Sequence, residues 1–219
     1  MLHFLIQGKL FMIPLMICAV LAVAVIIERA IVLREIQRYA GGFLERFNEL
    51  VSAGKLKEAE NLCHETPHPV SRMLAAGLTR FEEVKPEKSV GFIHDQVDKA
   101  VSDAGVHAVS MLEERLGLLA SVSNLAPLFG FAGTVTGMIS AFAAIAVASE
   151  VDVTQVAKGI SEALNTTAAG LVIGILATLG YNHYTGKIEA FIDRLEEASN
   201  SMLAQMTKNL LHERYGEQQ

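Results

Sequence analysis

The 219-residue sequence is poor in several residue types that mark common classes of soluble protein. It contains no tryptophan, two cysteines and five prolines, and aromatic residues make up 6% of the chain. Its 18 lysines and arginines form no cluster, which argues against a surface that binds nucleic acid. Cys18 lies in an apolar run and Cys63 in a polar segment, so we expect reduced thiols rather than a disulfide.

Hydrophobic residues, by contrast, make up 51% of the chain and are concentrated in three runs. Residues 10–27, 116–149 and 163–186 contain no Asp, Glu, Lys or Arg. Each run reaches the ~18–20 residues that a helix needs to cross a bilayer. The pattern predicts an all-α membrane protein with three transmembrane helices and long cytoplasmic helical extensions, solvated by the lipid bilayer.

The first run has a second interpretation, a signal peptide. However, its apolar stretch is long for a signal peptide, and the charged segment "ERAIVLREIQR" follows it directly. We therefore interpret it as an uncleaved span and keep a cleaved signal peptide as the alternative.

Lysines and arginines are concentrated at one end of each run. Arg29, Arg34 and Arg38 follow the first run, Arg115 precedes the second, Lys187 and Arg194 follow the third, and only Lys9 and Lys158 lie at the opposite ends. Cytoplasmic flanks are enriched in these residues, so we expect a periplasmic N-terminus and a cytoplasmic C-terminus. The predicted segments are a periplasmic N-terminus (1–9), a first transmembrane helix (10–28), a cytoplasmic helical region (29–115), a second transmembrane helix with a cytoplasmic extension (116–149), a periplasmic loop (150–155), a third transmembrane helix (156–184) and a cytoplasmic helical tail (185–219).

The polar region between the first two runs is predicted to be helical. A turn is expected near Gly54, and "TPHP" (66–69) and "VKPEKS" (84–89) interrupt the helical pattern. From Ser89 onward no strong helix breaker precedes the second run, so the sequence predicts one helix that continues into the membrane. Apolar residues at helical spacing after Lys187 predict that the tail extends the helix of the third run.

Small residues punctuate the second run within "NLAPLFGFAGTVTGMISAF" (124–142). They include Gly130, Gly133 and Gly137, and in the third run Gly170 and Gly174 form a GxxxG pair. Lipid supplies no hydrophobic drive for helix association, so residues that permit close approach mark the contacts between membrane helices. We predict that these glycines pack the second and third spans together.

Glu162 stands at the start of the third run, where a carboxylate needs a partner or an aqueous cavity. One interpretation is an ion pair with Lys158, four residues earlier, and the other is a place on an ion path. Asn165 and Thr166 lie within about 60° of Glu162 on a helical wheel, as further polar residues that could line a pore, and Thr167 lies roughly 140° away. Spacing alone favours Thr166 as the neighbour of Glu162.

The motifs of common enzymes and cofactor sites are absent from the sequence. There is no phosphate-binding glycine loop, no nucleophile elbow and no zinc signature. "CHETPHP" brings Cys63, His64 and His68 together, and these could bind a metal, but a loop between helices is the preferred interpretation because only one short cluster exists. We expect no enzyme, no cofactor and no metal.

Two stretches, "LEERLGLLASVSNLAPLFGFAGTVTGMISAF" and "ISEALNTTAAGLVIGILATLGYNHY", resemble the paired spans of the ExbB/TolQ family of proton-driven motor subunits. The resemblance is strong from Leu112 to Tyr184, whereas residues 29–110 agree only in length and helical character. MotA-type flagellar stator subunits are similar but generally carry a fourth span. The resemblance implies an all-helical subunit, five copies of which surround a dimer of a small single-span partner whose membrane aspartate carries the proton.

The resemblance also implies functional residues. Thr134 in "GTVTG" and Glu162 in "EAL" match two of them, and Thr167 matches the threonine five residues beyond the glutamate. We adopt Thr167 where spacing favoured Thr166, because a pore built from five subunits can present more than one helix face. Asn165 stands where the family often has an apolar residue, so the surroundings of Glu162 are more polar here.

By this resemblance the chain is a proton-channel subunit of a motor in the bacterial inner membrane. It would use the proton-motive force with an ExbD/TolR-like partner and a TonB/TolA-like protein, and the predicted role is ExbB-like, energising TonB-dependent outer-membrane transport. Two alternatives stay open: a TolQ-like role in envelope integrity and cell division, and a non-conducting scaffold in which Glu162 only pairs with Lys158. The client, and the choice between proton and sodium, stay open as well.

Overall fold

The computed structural model describes residues 9–66, 68–85, 89–147 and 152–215, which are helical apart from short connections. The helices are α1 (Lys9–Ser52), α2 (Leu56–Glu65), α3 (Pro69–Val84), α4 (Val90–Glu113), α5 (Leu116–Val147) and α6 (Val153–Tyr215). No β-strand occurs within these ranges, and the all-α prediction is confirmed. Residues 1–8 of the predicted N-terminal segment and residues 148–151 around the predicted periplasmic loop lie outside the described residues.

Three of the helices, α1, α5 and α6, are long and apolar enough to cross a membrane. In their most apolar stretches only 22%, 22% and 28% of the residues, respectively, are buried within the chain. Large side chains such as Ile17, Phe131 and Ile175 are more than half exposed. A helix in water would turn such a face toward a core. The chain is therefore an all-α membrane protein whose spans face lipid or other membrane-embedded helices.

The first of two compact units consists of the described part of Met1–Ile31 together with Arg115–Thr185. Its core is a row of small and medium-sized apolar side chains from α1, α5 and α6: Leu15, Cys18, Ala22, Val25, Leu119, Val122, Ala126 and Ala177. The Tyr184 hydroxyl donates to the carbonyl of Ile26 over 2.7 Å, and Arg115 forms a 2.7 Å salt bridge with Glu28. These polar contacts join α6, and the residue that precedes α5, to α1 near the ends of the apolar runs.

The chain is interrupted between α4 and α5, where the sequence predicted one continuous helix. α4 ends at Glu113 and α5 begins at Leu116. Between them Arg115 has φ = 65°, in the left-handed region that costs a residue with a Cβ roughly 1–2 kcal/mol. The prediction was wrong because neither glycine nor proline marks the break; an arginine with a salt-bridge partner occupies it instead.

The second compact unit consists of Val32–Glu114 and the described part of Gly186–Gln219. Large side chains fill its core, and Phe47, Leu74 and Met202 are completely buried. This is the packing expected of a helical bundle in water, where burial of apolar surface stabilises by about 25 cal/mol per Å².

The connections of the second unit follow the helix breakers in the sequence. α1 ends at Ser52, and the turn predicted near Gly54 is confirmed by its φ of 77°, a conformation that suits glycine. α2 and α3 end at Glu65 and Val84, at the two predicted interruptions. α6 continues from the third apolar run into the tail without a break, as predicted.

The segment around "CHETPHP" joins α2 to α3. Cys63 is buried, and desolvation together with the nearby Glu60 carboxylate raises the pKa of its thiol to about 12. His68 is the N-cap of α3, and its Nδ1 accepts a hydrogen bond from the Val70 N–H over 3.4 Å. Within the described ranges no three His, Cys, Asp or Glu side chains are grouped as metal ligands would be.

Candidate functional site

The contact between α5 and α6 in the first unit is made by backbones rather than by large side chains. A Cβ on Gly170 would lie 2.6 Å from the carbonyl oxygen of Ala126, and one on Gly130 would lie 3.1 Å from the Cα of Thr167. Any side chain larger than hydrogen at Gly170 would therefore force the two helices apart. This close approach is the geometry by which membrane helices gain van der Waals contact without a hydrophobic drive.

The remaining predicted packing glycines extend the same contact along both helices. A Cβ on Gly137 would lie 2.7 Å from the Cβ of Ala163, and one on Gly174 would lie 2.7 Å from Pro127. Gly133 receives the methyl group of Thr166, which would lie 2.6 Å from an added Cβ. All five glycines that the sequence singled out thus lie where α5 meets α6.

Two hydroxyl groups meet inside this contact. The Oγ1 atoms of Thr134 on α5 and Thr167 on α6 are in direct hydrogen-bonding contact. Thr167 also donates to the carbonyl of Gly130 over 2.9 Å, and the Thr134 hydroxyl lies 3.3 Å from the carbonyl of Ala163. The structure therefore brings together the two threonines, 33 residues apart in sequence, that the family resemblance assigned to one pathway.

Thr166 is placed differently from its neighbour. It is buried, its methyl group packs on Gly133, and its hydroxyl donates to the main-chain carbonyl of Glu162 over 3.0 Å. Because that hydrogen bond closes one turn of α6, the hydroxyl is already satisfied within its own helix. Helical spacing favoured Thr166 as the neighbour of the Glu162 side chain, but the observed bond is to the Glu162 main chain and not to its carboxylate, so that expectation stays a prediction.

Glu162 and Asn165 lie on the exposed part of α6, outside the contact with α5. Lys158 is exposed as well, and in the part of the chain that the structure describes it forms no ion pair with Glu162. The carboxylate and the Thr134–Thr167 pair are therefore not brought together within one chain. They lie on different sides of α6.

One feature of this unit was missed from the sequence. The salt bridge between Arg115 and Glu28 joins the residue that precedes the second apolar run to the residue that follows the first. The sequence carried a signal for this salt bridge, since charged residues that flank two spans on the same side lie at a similar membrane depth.

Thr136 was also not singled out from the sequence. Its hydroxyl donates to the carbonyl of Ala132 within α5 over 2.9 Å.

Comparison with known proteins bears on what this arrangement does. Residues 65–197, more than half of the chain, match the MotA/TolQ/ExbB proton channel family. The chain is 30% identical to the Tol-Pal system protein TolQ of Pseudomonas aeruginosa over 190 residues, which are 85% of this chain and 81% of that protein. It is 27% identical to TolQ of Haemophilus influenzae over 95% of this chain and 90% of that protein. It is 26% identical to the biopolymer transport protein ExbB of Pseudomonas putida over 94% of this chain and 61% of that protein.

The family match covers the whole of α5 and α6 as far as residue 197, and it includes Thr134, Thr167 and Glu162. The glycine contact, the hydroxyl pair and the Glu162 carboxylate thus lie inside the matched segment. The chain belongs to the MotA/TolQ/ExbB proton channel family.

Proposed function

We propose that the chain is the proton-conducting subunit of an inner-membrane motor that works with a small single-span partner of the ExbD/TolR type. The observation that carries the proposal is the contact between the Thr134 and Thr167 hydroxyls, within a helix contact built mainly from glycine and alanine. A hydroxyl accepts one hydrogen bond while it donates another, so a contacting pair provides polar continuity across the contact. An apolar contact would present a proton with a large desolvation barrier.

Glu162 supplies a titratable group on the exposed side of the same helix. A carboxylate near the centre of a membrane helix costs roughly 2.5–3.5 kcal/mol on insertion scales and therefore faces a cavity or a partner. We assign this face of α6 to the interior of a homo-pentamer, where Asn165 extends the polar surface. The membrane aspartate of the single-span partner, which the family resemblance implies, would lie opposite it.

The driving force in this proposal is the transmembrane potential, which is worth about 2.3 kcal/mol per elementary charge per 100 mV. Protonation and deprotonation of the partner's aspartate change its charge inside the five-subunit wall. That change alters which side chains of the wall the partner contacts, and we assign the motion of the motor to this step. A TonB/TolA-like protein would receive the work outside the membrane.

The orientation in this proposal follows the lysines and arginines at the ends of the apolar runs. The N-terminus would be periplasmic and the C-terminus cytoplasmic. A topology reporter fused after Gly54 or at the C-terminus should then read cytoplasmic, and one inserted near residue 151 should read periplasmic. An inverted reading at any of these three places would contradict the three-span orientation.

We propose the ExbB-type role, energising TonB-dependent transport, as the first candidate for the work performed. A TolQ-type role is the second candidate, favoured by the relatives named TolQ, which the chain matches over 81% and 90% of their length against 61% for the ExbB of Pseudomonas putida. Deleting the gene distinguishes the two, because loss of TonB-dependent uptake with an intact envelope supports the first, and envelope leakage with normal uptake supports the second.

Proton conduction is tested by removing the hydroxyls while keeping the side-chain volume. Thr134→Val and Thr167→Val should each reduce potential-driven proton flux in vesicles containing the complex at least tenfold, and Thr134→Ser and Thr167→Ser should retain most of it. Thr136→Val is the matched control, since that hydroxyl bonds only within α5. Normal flux in both valine variants would exclude the hydroxyl pair from the pathway.

The scaffold alternative makes a different prediction for Glu162. If the carboxylate only pairs with Lys158, then Glu162→Ala should be rescued by adding Lys158→Ala. We expect no rescue, because Lys158 and Glu162 form no ion pair among the described residues and the proposal requires the carboxylate itself. Motor-dependent growth of the single and double variants, with complex levels measured by blot, decides between the two.

A further inference from the structure

An acidic groove runs along the second unit between α4 and the last part of α6. It encloses about 880 Å³, and four carboxylates line it: Asp98, Glu113, Glu114 and Glu196. Among the described residues of its lining there is no lysine or arginine. A concave surface with acidic side chains and no cation in its wall attracts a basic ligand.

The floor of the acidic groove is apolar. Val101 and Leu195 are buried beneath it, and Val106 at its edge is 65% exposed on a helix that otherwise packs in water. An apolar floor between acidic walls fits an amphipathic segment that presents apolar side chains inward and basic side chains outward. A free inorganic cation would gain no binding energy from contact with the apolar floor.

A buried hydroxyl in the groove wall lacks a partner. Ser199 is 6% exposed, and its Oγ has no hydrogen-bond partner among the described residues. Thr207, further along α6, shows the ordinary arrangement, in which the hydroxyl donates to the carbonyl four residues earlier, here that of Leu203 over 2.9 Å. An unsatisfied buried polar group is destabilising. The Ser199 Oγ has almost no accessible surface of its own, so a ligand's main chain can bond it only after the side chain rotates toward the groove.

The position of the groove in the chain narrows the choice of ligand. Glu113 is the last residue of α4, and α5, the second apolar helix, begins at Leu116. A protein segment that binds along α4 up to Glu113 therefore ends close to where this chain enters its apolar run. The cytoplasmic flank of a single-span membrane protein is enriched in Lys and Arg, which is the charge that this groove lacks.

We propose that the acidic groove binds the Lys/Arg-rich membrane-proximal segment of the single-span partner. This inference rests on the proposed function, because it takes the existence of that partner from it. The carboxylates select a basic segment, the apolar floor holds its apolar side, and the Ser199 hydroxyl bonds its main chain after rotating toward the groove. The groove thereby ties the partner to the five-subunit wall outside the membrane.

Site-specific photo-crosslinking in the co-expressed complex tests this assignment. With p-benzoylphenylalanine replacing Val106, the chain should crosslink to the single-span subunit. The matched control replaces Phe92, which is 46% exposed on the same helix and outside the groove, and it should give no such product. Crosslinking from Val106 to a second copy of this chain, or no crosslink in a complex that contains the single-span subunit, would overturn the proposal.

Charge removal supplies the second measurement. Asp98→Asn, Glu113→Gln and Glu196→Gln combined should lower the crosslinking yield at Val106 about tenfold at low salt, since each exposed charge pair contributes a small factor. The control combines Asp103→Asn, Glu189→Gln and Glu82→Gln, which are exposed positions outside the groove. An equal loss of crosslinking yield in both triple variants would mean that net charge causes the effect, and it would contradict specific binding in the groove.

Different results would overturn the proposed function and the groove assignment. If the wild-type chain purifies with no single-span subunit, the proposed function is overturned and the groove assignment with it. If the subunit co-purifies and proton flux depends on Thr134 and Thr167, but Val106 gives no crosslink to it, only the groove assignment is overturned. Ser199→Ala should weaken the crosslink without lowering the thermal stability of the chain, and a loss of stability alone would assign Ser199 to the fold.

Discussion

The two compact units are both helical, but their helices are held together in opposite ways. In the first unit α5 and α6 touch through glycine and alanine, and a Cβ at Gly170 would collide with a carbonyl oxygen at 2.6 Å. In the second unit the buried residues include Phe47, Leu74 and Met202. The α5–α6 contact of the first unit packs backbone on backbone, whereas the second unit packs large side chains into a core.

The solvent explains the difference. In water, burying a large apolar side chain stabilises by about 1.5–3 kcal/mol, so a unit that contacts water is built from such side chains. In lipid that gain vanishes, because the hydrocarbon is as apolar as leucine, and close contact with hydrogen bonds must hold the helices. The same close contact brings the Thr134 and Thr167 hydroxyls together. Packing and the proposed proton pathway thus depend on one geometry in the first unit.

The largest effect is expected from a cavity in the second unit. Phe47→Ala should lower the free energy of unfolding of this unit by about 3–5 kcal/mol, because Phe47 is fully buried. Phe92→Ala, at a side chain that is 46% exposed, should change it by less than about 1 kcal/mol. Thermal unfolding of the purified protein measures both. If both variants lost the same stability, the second unit would not depend on a side-chain core, and the contrast between the two units would be wrong.

A smaller but functionally sharper effect is expected in the first unit. Gly170→Ala should destabilise the α5–α6 contact by about 1–3 kcal/mol, because the added methyl group meets a rigid carbonyl. Gly42→Ala is the control: nothing lies within 4 Å of its added Cβ, so helix propensity should make that variant neutral or more stable. Gly170→Ala should lower both the stability against unfolding and the proton flux, whereas Gly42→Ala should lower neither. A tolerated alanine at Gly170 would refute backbone packing as the basis of this contact.

The smallest effect concerns the pH dependence of the second unit. Desolvation lowers the pKa of His68, although the Glu35 carboxylate acts in the opposite direction. A depressed native pKa means that the unfolded chain binds the proton more readily, so the contribution to stability is present above about pH 6.5 and is lost as the pH falls through the native pKa. Protonation also removes Nδ1 as the acceptor for the Val70 N–H.

The test of this effect compares unfolding of the wild type and of His68→Asn between pH 7.5 and pH 5. Asparagine caps a helix N-terminus without titrating, so the variant should lose part of the acid sensitivity. His64→Asn, at an exposed histidine nearby, serves as the control. Unchanged acid sensitivity in His68→Asn would assign the effect to other groups.

Much of the fold and part of the candidate site were predictable from local sequence. The three apolar runs specify three membrane-crossing helices, because hydropathy adds along a segment regardless of what the segment touches. Gly54 specified a turn, since its φ of 77° is open to glycine at little cost. Gly130, Gly133 and Gly137 marked one side of α5 as a close contact, because small residues on one side of a membrane helix let a second helix approach closely.

Tertiary structure alone decided the rest. Thr166 and Thr167 are chemically equivalent neighbours, and only the docking of α6 on α5 places the Thr167 hydroxyl against Thr134 while the Thr166 hydroxyl bonds within its own helix. Arg115 carries no local signal for a left-handed backbone, and its conformation accompanies a salt bridge to Glu28, far away in sequence. Local sequence sets which solvent a helix prefers and which of its sides is small. Which hydroxyls meet, and where a helix breaks without glycine or proline, depends on atoms distant in the chain.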